Sequence, residues 1–404
     1  MPASGIRNEY NIYKHNMDII MKKITVLLLG LYSSVSYAYN GTLLTATGQI
    51  SAGLGGVSYG GGFDRSAIAD NPANLSYQPS GGDIQMSLLN IRSEASFINP
   101  DTYYKSNQYV PVPSLSVVQH TQSNLSYGIA VVGSGASVDY QQPVVGGANH
   151  ATAKDNLAMA TINPTISYKI SPELSIGAAL HLGIQEFRAK GVIVGMDAQQ
   201  QALELPSHGN QWAWGYGYAL GATWQFLPQW TLGASYISET EFSKLDGYRD
   251  DLLASSEGRL NLPERFGVGF SYQASEQLKI GMDVLQINWQ DTDGFGEGTA
   301  FNWQDQTVFR IGADYQLNPI SSIRVGYSHA DSFLDRDYTN ANLYTNAIAH
   351  QAITVGYGHR LRFADLNLAY EYDLSSHRDG TNQSAGTNLK NNNHTLTLGL
   401  SKAF

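Results

Sequence analysis

From about residue 83 to the end, the chain alternates apolar and polar residues with a period of two, the pattern of strands that show one face to an apolar phase. The last segment, "HTLTLGLSKAF", sets Leu396, Leu398, Leu400 and Phe404 against Thr395, Thr397, Gly399 and Ser401. The same alternation runs through Leu125, Tyr127, Ile129 and Val131, through Leu278, Ile280, Met282 and Val284, and through Phe309, Ile311, Ala313 and Tyr315. Lys279, Asp283, Arg310 and Asp314 occupy the opposite faces. A soluble sandwich buries its apolar face and wets its charges. A transmembrane barrel does the reverse, giving the apolar face to lipid and lining its interior with polar groups.

Strand-like segments fall near 83–98, 112–121, 125–135, 156–169, 173–190, 211–225, 229–245, 260–273, 277–289, 303–316, 321–330, 349–359, 363–373 and 393–404, fourteen in all. Short turns such as "SPE", "LPQ", "ASE" and "NPISS" follow even strands, and stretches of roughly 12 to 20 residues follow odd ones. Outer-membrane barrels have an even strand number, short periplasmic turns and long outer loops. The prediction is an all-β, 14-stranded antiparallel transmembrane β-barrel over 83–404. Trp224 and Trp230 bracket one short turn, while Trp212, Trp214, Trp289 and Trp303 lie at long-loop ends, so all six are expected in interfacial girdles.

Composition supports an exported chain. "MKKITVLLLGLYSSVSYA", residues 21–38, carries Lys22-Lys23, an apolar centre from Ile24 to Leu31, and small residues at Ser36 and Ala38, the features of a signal peptide. Residues 1–20 are polar and irregular and are expected to be an upstream mis-start or extension, translation beginning at Met21. Removing residues 1–38 takes four Lys/Arg and two Asp/Glu from totals of 24 and 34, which leaves a charge of about −12. That balance opposes nucleic acid as a partner. There is no Cys, hence no disulfide scaffold, and no apolar run of 18 residues beyond the N-terminal region to make a spanning helix.

The stretch "SAGLGGVSYGGGFDRSAIADNPANLSYQPS", residues 51–80, is dense in glycine and precedes all the strands. Asp64 is placed to cap a short helix over Arg65 to Ala69, which should stop at Asn71 because the residue before a proline avoids the α region. This stretch, with "SAIADNPANL", "WAWGYGYALGATWQF" at 212–226 and "LNLPERFGVGFSY" at 260–272, resembles the outer-membrane long-chain fatty-acid transporters of FadL type and the related toluene and aromatic-hydrocarbon uptake proteins. The resemblance implies a barrel plugged by an N-terminal hatch, here 39–82, with Phe63, Asn71, Pro72 and Ala73 as hatch residues and the Asn71-Pro72-Ala73 turn against the inner wall. It implies passive transport in the Gram-negative outer membrane: loop capture, passage inward, hatch movement and lateral release through the third strand.

Candidate site residues follow. In strand five Leu174, Ile176, Ala178, Leu180, Leu182 and Ile184 alternate, but the next large apolar residue is Phe187, a one-residue slip that suggests a bulge. With Phe187 outward, Arg188 and Lys190 turn inward, and "FRAKG" resembles the family's strand-five end, where a basic residue meets the fatty-acid carboxylate. The alternative is that both cations lie solvated at the rim or pair with acidic neighbours. The loop "GVIVGMDAQQQALELPSHG" is expected to expose Val192, Ile193, Val194, Met196, Leu203 and Leu205 as a capture site, with Leu252 and Leu253 of "DDLLASSEG" opposite, unless these residues pack on their own barrel. Gly128, Gly133 and Gly135 in strand three weaken pairing and mark the expected lateral opening.

Enzyme motifs fail. "GLGGVSYGGG" lacks P-loop spacing, no H-E-x-x-H occurs, and "DTDG" at 291–294 is too short for a Ca²⁺ loop. No cofactor or metal is expected. The interior charges Lys279, Asp283, Arg310, Asp314, Arg324 and Glu371 are expected to form a structural network. Expected partners are outer-membrane lipid, lipopolysaccharide and a hydrophobic small molecule, for a monomer. Long-chain fatty acids are the first substrate reading and monoaromatic hydrocarbons or aromatic esters the second. A general porin conflicts with the plug, and a structural or adhesive barrel explains neither plug nor apolar loop.

Overall fold

The computed structural model describes residues 40–145, 150–199 and 201–404, so the expected extension and signal peptide lie outside the described residues. Fourteen strands build the barrel: β1 Gly81–Phe97, β2 Asn99–His120, β3 Leu125–Asp139, β4 Lys154–Lys169, β5 Leu174–Lys190, β6 Gln211–Leu227, β7 Trp230–Ile237, β8 Glu264–Gln273, β9 Leu278–Asn288, β10 Gln306–Asn318, β11 Ser321–Ala330, β12 Gln351–Arg360, β13 Asp365–Asp373 and β14 His394–Ala403. Each pairs antiparallel with its neighbours, and β1 closes on β14 from Gly81 opposite Ala403 to Asn90 opposite His394. Closure pairs each strand with a neighbour on both sides, so amides within the ladders have partners without water. Ile84, Leu180, Leu220, Val284 and Leu396 point outward and exposed on strands all round the wall. An apolar belt of that extent on a closed barrel belongs in a bilayer.

The first outer connection differs from expectation. β1 and β2 continue as one hairpin through Ile98, whose φ of 62° makes the turn, where a loop over roughly 99–111 was expected. "NPDTYYKSNQYVP" shows no alternation because, above the lipid, neither face of the hairpin needs to be apolar. Two tryptophans also move: Trp289 and Trp303 are fully buried in an outer-loop cluster with Phe295, Phe301 and Phe333, while Trp212, Trp214, Trp224 and Trp230 keep outward, exposed positions. The loop cores satisfy their rings better than the interface would.

Residues 40–80 pack inside the closed wall. Three 3₁₀ turns carry them: Ser51–Leu54 lies on β10 to β13, Arg65–Ala69 on β1 to β3, and Pro72–Tyr77 on β3 to β6. Gly55-Gly56 (φ 67° and 86°) and Gly61-Gly62 (88° and 62°) fold the chain back between them in left-handed conformations that side chains resist. Wall charges bind this backbone. Asp283 accepts from the Ser58 and Tyr59 amides (2.7 and 3.1 Å), Arg310 donates to the Gly56 carbonyl (2.9 Å), Lys279 donates to the Gly62 carbonyl (3.3 Å), and the Thr45 hydroxyl donates to Glu371 (3.1 Å). Arg324 pairs with Asp314 at 3.3 Å and donates to Asn367 at 2.8 Å. Lys279, Asp283 and Arg310 therefore satisfy orphan backbone groups of an irregular segment buried away from water, Glu371 holds the Thr45 side chain, and Arg324 and Asp314 neutralise each other on the wall.

Candidate functional site

Between residues 40–47 of the N-terminal segment and the upper wall lies a cavity of about 50 Å³, lined by Leu43, Leu44, Val132, Leu262, Leu285 and Ile287 and by the polar groups of Asp70, His181, Arg265 and Arg310. Asp70 accepts from the Thr47 hydroxyl (2.7 Å), and Arg310 is committed to Gly56. Arg265 is different. It shares inward parity with the buried Gly267 and Gly269 of β8, lines the cavity, and has no hydrogen bond or ion pair among the described residues. His181 on β5 is 3% exposed, and its Nε2 has no hydrogen-bond partner among the described residues. A guanidinium and an imidazole nitrogen, both without a partner among the described residues, thus border a space of mixed lining in which Leu43, Leu44, Leu262, Leu285 and Ile287 supply apolar surface, a setting that suits an anion carried on a greasy body.

The wall beside this cavity is incomplete. β3 pairs with β4 along its whole length, from Leu125 opposite Tyr168 to Asp139 opposite Lys154, but with β2 only from Val131 opposite Leu115 to Ser126 opposite His120. Above Val131 the backbone ladder between them parts, next to the cavity-lining Val132, Gly133 and Ser134, until the Asp139 amide donates to the Ser106 hydroxyl of β2 (2.9 Å). The Gly135 amide, which would have met β2, donates instead to the Thr42 carbonyl of the N-terminal segment (2.9 Å). Gly135 sits at φ 147°, and a Cβ at Gly133 would lie 2.5 Å from Val112 Cγ1. Gly128 lies below the parting in fully paired strand, where its missing side chain leaves room for Leu75 and Ile68.

Pro111 and Pro113 explain why the ladder stops. The β1–β2 ladder runs unbroken across both, so the N–H groups they lack are those that would face β3. "VPVPS" at 110–114 carried this signal in the sequence, as did the parity of Arg265 inside "PERFGVGF"; neither was among the expected site residues.

The structure corrects the reading of strand five. β4 and β5 keep one register from Lys169 opposite Ser175 to Lys154 opposite Lys190, so there is no bulge at Phe187. Phe187 points inward, 2% exposed, its ring 4.9 Å from Tyr248 of an outer loop. Arg188 and Lys190 therefore share the outward face with Leu180 and Leu182 and do not enter the barrel.

The loop residues divide. Ile193–Met196 and Ala202–Glu204 form a small hairpin whose Val194, Met196 and Leu203 are exposed. Val192 and Ile193 are buried instead, because Tyr344 holds this turn, accepting from the Ile193 amide (2.7 Å) and donating to the Gly191 carbonyl (3.1 Å). Leu205 and Leu252 are partly covered, and Leu253 is buried with Leu260 and Leu262 rather than exposed. These side chains find a loop core that sequence spacing does not reveal.

In the lower barrel, Asn71 caps the Pro72 turn by accepting from Ala73 N (3.1 Å) and donates to the Tyr59 and Ala222 carbonyls (3.1 and 3.2 Å). The Ser175 hydroxyl donates to the Ala73 carbonyl (3.0 Å), and a Cβ at Gly177 would stand 2.5 Å from the Pro72 carbonyl carbon. Phe63 lies under the Lys279 ammonium, 4.0 Å from ring centroid to nitrogen. Asp64 caps Ala67 and accepts from Ile50 and Ser51, and burial pushes its carboxyl up to about 6. Among the described residues no cluster of His, Cys, Asp and Glu could hold a metal ion.

Residues 43–343 match the family model described as "Outer membrane protein transport protein (OMPP1/FadL/TodX)". Solved structures share the fold. The Pseudomonas putida toluene transporter TodX is 19% identical over 91% of this chain and 100% of its own, with a TM-score of 0.71. A Pseudomonas aeruginosa FadL homologue is 14% identical over 90% and 100% (0.69), and the Ralstonia pickettii toluene transporter TbuX 17% over 89% and 99% (0.63). By sequence, no curated protein matches the chain.

Proposed function

Because the chain belongs to the OMPP1/FadL/TodX family of outer-membrane transport proteins, we propose that it carries long-chain fatty acids passively through the outer membrane, with residues 40–80 as its hatch. The observation that carries this reading is Arg265: a cation without a partner among the described residues, inside the wall, beside a parting of the β2–β3 ladder. A fatty acid presents one carboxylate and a long apolar chain. The guanidinium takes the first, and each buried methylene of the second contributes about 0.8 kcal/mol.

Val194, Met196 and Leu203 supply first contact at the outer face. The cavity beneath, about 50 Å³, holds a few water molecules, whereas pockets for drug-sized ligands measure roughly 300–1,000 Å³. The hatch must therefore shift to admit the chain, and the Thr42–Gly135 hydrogen bond links that shift to the parting. Release follows sideways, into the bilayer, without crossing the lower lumen filled by the hatch.

A second reading, monoaromatic hydrocarbons, is favoured by the apolar side chains of the cavity, Leu43, Leu44, Leu262, Leu285 and Ile287, and by the fold shared with two toluene transporters. Uptake of oleate and of toluene by a deletion strain expressing wild type or Arg265→Gln separates the two. The fatty-acid reading expects at least a tenfold loss of oleate uptake with toluene unchanged. Oleate uptake that ignores the substitution, or a wild type that passes only toluene, overturns it. A steady ohmic pore in planar bilayers would remove both in favour of a porin.

A further inference from the structure

The outward turn of Arg188 and Lys190 leaves two cations on the lipid side of the wall, and they are not alone. Across the β3–β4–β5 ladders, Asp139, Lys154 and Lys190 stand in one outward row, and Asn156 and Arg188 stand in the row below. Asp139 accounts for Lys154, at 2.9 Å. Lys190 and Arg188 have no partner among the described residues, and the Arg188 Nε is buried without one. Glu186, one row further down, is occupied by the Asn210 amide. Like charges facing each other across a ladder, as Lys154 and Lys190 do, are unfavourable unless an anion lies between them.

Their height identifies that anion. The outward apolar run of β5 spans Leu174 to Ile184, which at about 3.3 Å per residue and a tilt near 40° covers roughly 25 Å, the height of a barrel's lipid belt. Trp212 and Trp214 face Glu186 and Ile184 across the β5–β6 ladder and are exposed, which marks the interface at this level. Arg188 and Lys190 stand about 10 and 15 Å above Ile184 by the same geometry, and long basic side chains reach back toward the headgroup layer.

We propose that Asn156, Arg188 and Lys190, beside the Asp139-paired Lys154, form a binding site for a phosphate of the outer-leaflet glycolipid, lipopolysaccharide. Arg188 supplies a planar fork that matches phosphate geometry, Lys190 a second charge and Asn156 a neutral donor. The site is a local positive patch on an acidic chain, at the depth where the leaflet carries its anions. It also stands two strands from Gly135, so the bound glycolipid borders the outer lip of the β2–β3 parting.

Native mass spectrometry of the detergent-solubilised full barrel, titrated with bisphosphorylated lipid A and with the same lipid dephosphorylated, tests this. Wild type should bind the phosphorylated form at least tenfold more tightly. Arg188→Gln with Lys190→Gln should erase the preference, while Arg360→Gln with Arg362→Gln, at the opposite rim, should keep it; heat-modifiable gel mobility verifies folding. Equal binding of the two lipids by wild type, which needs no variant, overturns the proposal, as does a preference that survives in the folded double variant. Inorganic phosphate that raises the thermal midpoint as far as lipid A at equal concentration would make this a free-anion site and equally overturn the lipid assignment.

Discussion

A covalent lock across the β2–β3 parting should stop transport without disturbing anything else. A Cβ placed on Gly133 lies 2.5 Å from Val112 Cγ1, and the Val112 Cβ is one bond further, so the two Cβ atoms come within about 4 Å, inside the range of a disulfide. The chain contains no cysteine, so Val112→Cys with Gly133→Cys gives a single pair. Closing a ring of about 22 residues constrains the unfolded chain by roughly 3 kcal/mol, so the oxidised barrel should be at least as stable as wild type. An acyl chain needs an opening about one strand spacing wide, roughly 4.8 Å beyond contact, and a disulfide holds its Cβ atoms no more than about 4.5 Å apart. Oxidised cells should take up labelled oleate at least tenfold more slowly than the same cells after reduction, with each single-cysteine variant indifferent to redox state. Full uptake through the oxidised form, with the disulfide verified by mass spectrometry, would refute lateral release at this point.

Replacing Pro111 and Pro113 by Thr restores two amides facing β3, each hydrogen bond contributing about 1 kcal/mol; the ladder should extend upward, seen as slower amide exchange in 110–114, and oleate uptake should fall. Gly177→Ala drives a methyl into the Pro72 carbonyl and should cost about 1–3 kcal/mol, read as a lower thermal midpoint and as leak conductance in planar bilayers. Asp64 binds its proton more tightly folded than unfolded, so its contribution is complete below about pH 4 and is lost as pH rises through about 6, on the order of 3 kcal/mol. Amide exchange across 50–70, corrected for intrinsic rates, should therefore be slower at pH 4 than at pH 7.5, and Asp64→Asn should flatten that difference.

The barrel was legible because lipid imposes a rule on every strand: one face apolar, turns at regular intervals, an even count. The Asp64 cap and the Asn71 break were legible because they depend on adjacent residues alone. Cavity and parting were not, because they depend on what one strand fails to give another. Pro111 and Pro113 matter only once β1 is known to take the other edge of β2. Arg265 matters only once the wall charges Asp283, Arg310 and Arg324 are seen to have partners and it is seen to have none among the described residues. Val192, Ile193 and Leu253 read as exposed capture residues because nothing in their spacing announces Tyr344 or the loop core that buries them.

The misplacement of Arg188 and Lys190 has a more general cause. Within the bilayer the apolar phase is outside the wall. Above it, the apolar phase is the packed loop core inside the mouth, and the outside is headgroup and water. A strand that crosses this boundary must exchange which parity is apolar without changing register. β5 does so between Ile184 and Phe187, with its ladder to β4 intact. β9 does the same: Ile280, Met282 and Val284 point outward, then Leu285 and Ile287 are buried inward, with unbroken ladders to β8 and β10. A shift of hydrophobic phase by one residue in such a strand therefore marks the edge of the lipid belt rather than a bulge. The same exchange makes the mouth apolar where Leu285 and Ile287 line the cavity, so the boundary that sends two cations out to the headgroups also gives a greasy ligand its way in.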